Sequence, residues 1–127
     1  MFQGAEKRAY KRIQKPFIVR FRIKPEAAGA IFPGWDVVIT QNLSAGGILF
    51  NYDDRIELTS LIDLKINFPT MKGTIDCTGR VLRVEEVPRS SRVRIAAVFT
   101  DIDEEVKKDV EEYADLLLSD HPDLIAQ

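Results

Sequence analysis

The chain has 127 residues, 45% hydrophobic and 30% charged, with a net charge of −2. Such a chain suits one globular domain that buries roughly two-thirds of its unfolded surface, and it excludes a disordered or fibrous class. One cysteine, Cys77, excludes an internal disulfide. No apolar run is long enough to span a bilayer, and no charged-then-apolar leader opens the chain. The expected setting is therefore the reducing cytoplasm.

Charge is divided unevenly along the chain. Lys7, Arg8, Lys11, Arg12, Lys15, Arg20, Arg22 and Lys24 face only Glu6 in the first 24 residues, whereas acids dominate 101–127. A basic head suits an anionic partner as well as a solvated face. The small total argues against a domain built to coat long nucleic acid.

Residues 1–15 read as a flexible basic arm, with few apolar anchors before Phe17. From Pro16 to Lys24, Phe17, Val19, Phe21 and Ile23 alternate with Ile18, Arg20 and Arg22, predicting a strand that Pro25 ends. Residues 26–34 predict a loop, and Trp35 to Thr40 a second strand. A polar turn at Asn42–Gly47 leads into Ile48, Leu49 and Phe50, a third strand.

Tyr52 to Ser60 reads as a connection. Ile62, Leu64, Ile66 and Phe68 give a fourth strand closed by Pro69. Ile75, Cys77, Gly79 and Val81 continue in period two until the phase slips at Leu82–Val84, which predicts a bulge or bend. After a turn at Pro88–Ser91, Val93, Ile95, Ala97 and Phe99 form a sixth strand.

The period then changes to that of a helix. Ile102, Val106, Val110, Tyr113 and Leu117 form one apolar stripe, predicting a helix at about 101–118 with Asp101 as cap and Glu104 completing a capping box. Six antiparallel strands followed by one helix predict a mainly β fold. It is a six-stranded antiparallel barrel over 16–127, with the C-terminal helix packed on one opening or side.

Catalytic chemistry finds little footing. His121, the only histidine, lies in the acidic tail with no second histidine or cysteine to share a metal. Cys77 alternates with core-facing residues of its strand. No zinc, nucleophile or phosphate-loop motif is present, so neither an enzyme nor a metal site is expected.

Two short patterns carry more. Arg8 and Arg12 stand four apart, on one side of a turn or helix-like segment. Guanidinium groups fork onto phosphate oxygens, lie flat on π-faces and can donate twice to guanine. Asn42, Ser44, Gly46 and Gly47 give a glycine-ended turn with short hydrogen-bonding side chains, where a flat base could approach the backbone. Separately, each also fits a solvated tail or an ordinary turn.

Together they read Arg8-x-x-x-Arg12, a gap of 29 residues, then Asn42-x-Ser44-x-x-Gly47. In this the chain resembles the PilZ domain family, bacterial receptors for the second messenger cyclic di-GMP. The resemblance implies that Arg8 and Arg12 grip guanine and phosphate. It also implies that Asn42, Ser44 and Gly47 meet a guanine, with Gly46 shaping the turn.

Asn42 stands where Asp is commoner in that family. Lys7 falls where a long basic residue accompanies an intercalated ligand dimer, and Arg83 where relatives place a residue near the base. The implied mechanism is an arm ordered by cyclic di-GMP that regulates a protein effector in motility, pili, biofilm or exopolysaccharide control, the receptor being a monomer or dimer. The rival readings are a PilZ-like protein-interaction adaptor that ignores the nucleotide, and a nucleic-acid binder. The strands lack the exposed aromatic pairs that the latter would use.

Overall fold

Alternating burial decides the architecture of the computed structural model, which describes residues 10–24, 34–69 and 73–126. In chain order the strands are β1 (Arg12–Ile13), β2 (Ile18–Ile23), β3 (Asp36–Leu43), β4 (Gly47–Tyr52), β5 (Leu61–Asn67), β6 (Thr74–Glu86) and β7 (Val93–Asp101). Helix α1 (Glu104–Asp120), a 3-10 turn (Pro122–Leu124) and β8 (Ile125–Ala126) follow. Lys7, Arg8, the rest of the predicted arm before Tyr10 and nearly all of the predicted 26–34 loop lie outside the described residues.

Strands β2-β5-β6-β7-β4-β3 pair antiparallel in that order, and pairing of β2 with β3 closes the barrel. Every second side chain therefore points inward: Val19, Phe21, Phe50, Ile62, Leu64, Ile66, Val81 and Ile95 are fully or almost fully buried. Phe21 and Phe50 pack at 5.2 Å between ring centroids. Helix α1 buries Val110, Ala114 and Leu117. Its Tyr113 ring meets Phe68 edge-on at 5.1 Å and Phe17 at 6.4 Å, so an aromatic cluster fixes the helix to the barrel.

The helix begins two residues later than its capping signal suggests. Strand β7 continues to Asp101, which pairs with Thr78, and Asp103 becomes the N-cap. The Asp103 carboxylate accepts a hydrogen bond from the Glu105 N–H at 3.0 Å. His121 forms the C-cap, its N–H donating to the Leu117 carbonyl.

Two short strands join the barrel beyond the expected six. Strand β1 lies between β3 and β8, with Ile13 opposite Leu43 on one side and Ile125 on the other. Ile13 is 0% exposed, so residues 10–15 are anchored, and the arm expected over 1–15 is attached to the barrel from at least Ile13 onward. Pro16, which has no N–H to donate, separates β1 from β2. The Thr40 hydroxyl bridges that gap, accepting from the Phe17 N–H at 2.9 Å and donating to the Lys15 carbonyl at 3.3 Å.

Candidate functional site

Those sequence-predicted residues that the structure describes converge on a depression of about 250 Å³ on the outer surface of the barrel. Arg12, Asn42, Ser44, Gly46, Gly47 and Arg83 all line it, together with Tyr10, Leu49, Leu82, Ala96 and Val98. Arg8 and Lys7 are outside the described residues.

Strand register explains the convergence. Asn42 pairs with Leu49, Leu49 with Ala96, and Ala96 with Arg83, so one row crosses four strands from Asn42 to Arg83. Three strand spacings, roughly 14 Å, separate its ends. A bulge aims each terminal residue. Between Thr40 and Asn42 the register shifts, with Thr40 and Leu43 buried and Asn42 turned outward between them. Between Val81 and Arg83 it shifts again, so Val84 packs against the core and Arg83 faces out. Without that extra residue, Arg83 would continue the inward series of Ile75, Cys77, Gly79 and Val81.

Asn42 and Leu43 belong to β3, so the predicted turn shortens to Ser44–Gly46. The Ser44 hydroxyl oxygen accepts from the N–H groups of Gly46 at 3.1 Å and Gly47 at 3.2 Å. Its N–H donates to the Gly47 carbonyl at 2.9 Å. With its oxygen so engaged, the Ser44 hydroxyl keeps a proton to donate.

Glycine is needed here for space and not for a left-handed backbone. Among the described glycines only Gly73 has a positive φ. A Cβ on Gly47 would strike the Ala97 carbonyl oxygen, and one on Gly46 would lie 2.9 Å from Cδ2 of Tyr10.

Arg12 reaches the depression from β1. Side chains alternate along this segment: Tyr10 and Arg12 line the depression, Lys11 meets α1, and Ile13 enters the core. The RxxxR spacing suggests one side of a turn or helix-like segment; at Arg12 the chain is an extended strand.

The basic head and acidic tail meet at Lys11. Its ammonium pairs with Asp115 at 3.1 Å, and its N–H donates to Glu111 at 3.3 Å. The hydrogen bond to Asp115, reinforced by its charge, holds the Lys11 pKa above the ordinary lysine range. Lys15 donates to the Tyr113 hydroxyl at 2.8 Å. On the far side of the depression, Arg83 lies 3.4 Å from Glu85.

Tyr10 and Leu82 are lining residues that motif reading missed. Leu82, 60% exposed, occupies the bulge position that the phase slip marks. Tyr10 left only the signal of an aromatic between two arginines. Cys77 is buried, and burial, then Asp76 and Asp101, pushes its thiol up to about 12, so it stays protonated at neutral pH. No group of three His, Cys, Asp or Glu among the described residues is arranged to hold a metal. No helix there is long and apolar enough to cross a membrane.

A closed six-stranded antiparallel barrel with a C-terminal helix, and a glycine turn beside a short arginine-bearing strand, defines a PilZ-type domain. The PilZ domain model matches residues 6–116, and the chain belongs to that family. Comparison with curated proteins gives no match.

Among solved structures, the Bacillus subtilis inhibitor of motility MotI/DgrA superposes with a TM-score of 0.75 at 20% identity, covering 91% of this chain and 53% of that one. Escherichia coli YcgR in complex with c-di-GMP gives 0.67 at 15% identity, covering 92% and 48%. Borreliella burgdorferi PlzA in complex with c-di-GMP gives 0.58 at 13% identity, covering 93% and 55%. This chain thus spans about half the length of each of these relatives.

Proposed function

We propose that this domain is a non-catalytic receptor for cyclic di-GMP. The observation that carries the reading is convergence. Arg12 from one motif and Asn42, Ser44, Gly46 and Gly47 from the other, across a gap of 29 residues, line a single depression. Family membership and the two neighbours solved with c-di-GMP support it.

The chemistry fits a guanine dinucleotide. The Arg12 guanidinium can fork onto a phosphate or the O6 and N7 edge of guanine. The Asn42 amide and the Ser44 hydroxyl offer short, backbone-held partners for a second edge. At about 250 Å³ the depression is smaller than the roughly 300–1,000 Å³ of a typical enclosed ligand site. It takes part of a dinucleotide and leaves the rest to be covered. In this mechanism Arg8, with Lys7 beside it, closes over the exposed part when ligand arrives. The ligand-bound segment before Tyr10 is then the signal read by a protein effector.

Calorimetric titration with cyclic di-GMP, with GTP and cyclic di-AMP as controls, tests the reading. Arg8→Ala or Arg12→Ala is expected to weaken binding at least tenfold while leaving Tm almost unchanged. Equal binding by the wild type and both variants refutes the clamp.

One observation favours the adaptor reading. Ile18, Val37 and Ile39 are 53%, 65% and 57% exposed on the outer face of β2 and β3, an apolar surface suited to a protein contact. A titration without heat, together with a stable protein complex, would favour the adaptor.

A further inference from the structure

We propose that Tyr10, a variable position of the first motif, is the positioning residue that seats the arginine segment on the glycine turn. The consequence for ligand affinity rests on the receptor reading above, whereas the seating itself does not.

Gly46 lies against the Tyr10 ring. Its backbone is not in the left-handed region, so conformation does not call for glycine there. A Cβ at that position would lie 2.9 Å from Tyr10 Cδ2 and 3.2 Å from Cε2; the next atom, Ser44 Oγ, would be at an ordinary 3.8 Å. Among the described residues, chain neighbours aside, the Tyr10 ring is the only group that a Cβ at position 46 would meet closer than 3.8 Å. Glycine at 46 is therefore explained by the ring, which fills the space a Cβ would take.

The ring also stands between two hollows. It walls the depression on the side of Arg12, Ser44 and Gly46, and it borders a second groove with Glu104, Glu105, Lys107, Lys108 and Glu111 of α1. Its neighbours fix the segment from the other side: Lys11 to Glu111 and Asp115, and Ile13 into the core. Tyr10 is thus a direct contact between the arginine segment and the turn. It braces the segment from which Arg12, two residues on, joins Asn42 and Ser44 in lining the depression. Losing the ring, or pushing it away with a methyl group at 46, shifts Arg12 relative to its partners across the depression.

A double-mutant cycle on the full chain tests this. Tyr10→Ala is expected to weaken cyclic di-GMP binding at least fivefold and Gly46→Ala by a comparable factor. Tyr10→Phe, which keeps the ring, is expected to bind within twofold of wild type. The double variant Tyr10→Ala/Gly46→Ala should bind no worse than Tyr10→Ala alone, and the Tm loss caused by Gly46→Ala should vanish in the Tyr10→Ala background. Additive losses at the two positions, or wild-type affinity in Tyr10→Ala, overturn the proposal. If the wild type shows no heat with cyclic di-GMP, the receptor reading fails. The Tm cycle then decides alone: non-additive shifts uphold the seating and additive shifts overturn it.

Discussion

The glycine turn is held by backbone. Ser44 and Gly47 bond each other, Phe99 donates to the Gly46 carbonyl, and Gly47 lies flush against Ala97. The arginine segment a few ångströms away has a short ladder of its own, two-residue β1 between β3 and β8, and leans for the rest on side chains: Ile13 in the core, Lys11 on α1 and Tyr10 on the turn. One half of the depression is thus continuous with the barrel's hydrogen-bonded ladder. The other half joins that ladder only through two-residue β1 and is otherwise pinned by separate side chains, each of which can be removed by itself. Motif residues in the turn serve the fold as well as any ligand, so their loss is a blunt probe. Residues of the segment separate the two roles.

The strongest break in this contrast is Ile13→Ala. It empties a fully buried position where β1 meets β3 and β8, and is expected to cost about 2–4 kcal/mol in denaturant unfolding. Weaker ligand binding should accompany it, because the mount of Arg12 goes with it. Gly47→Ala comes next. Its Cβ meets a carbonyl oxygen that cannot rotate away, and strain of about 1–3 kcal/mol should appear as a lower Tm with or without ligand. A Gly47→Ala protein as stable as wild type would show that β4 and β7 can separate freely here.

Ser44→Ala removes the acceptor for two backbone N–H groups and should cost about 1 kcal/mol, a smaller effect because water can reach the turn.

The smallest effect lies elsewhere on the barrel and serves as a control for surface charge. Partial burial pushes the Asp63 carboxyl up, but hydrogen bonds from Lys24 at 2.6 Å and Arg22 at 3.2 Å outweigh it, and its pKa is lowered overall. A lowered carboxyl pKa means that the folded state binds its proton less readily than the unfolded chain does. The contribution is complete above the unfolded value of about 3.9 and is lost as pH falls through the folded value. Asp63→Asn should therefore flatten the acid limb of a Tm-versus-pH curve below about pH 4 and leave ligand binding intact.

Much of this was legible in the residues. Period-two alternation at Val19–Phe21, Ile62–Ile66 and Ile75–Val81 marks strands because one face of each meets the core. The phase slip at Leu82 marks the bulge because the inward series must resume at Val84. The bulge at Gln41 was hidden by its setting: Asn, Ser and Gly look like turn residues whether or not the strand has ended.

Strands β1 and β8 were illegible for another reason. Two residues carry no period, and the burial of Ile13 depends on partners 30 and 112 positions away, Leu43 and Ile125. The helix start was misplaced at Asp101 because the Asp101–Glu104 capping box is a purely local signal, whereas the cap is Asp103. Pairing of Asp101 with Thr78 decided between them. Tyr10 was invisible because its role is defined by the atom that Gly46 lacks.

The pairing of Arg12 with Ala126 brings the opening and closing stretches of the chain to one corner of the molecule, next to the depression. Any polypeptide spliced behind Ala126 departs within a strand's width of that arginine. A fluorescent reporter attached there would sit where occupancy is felt, and a bulky purification handle would stand in the doorway.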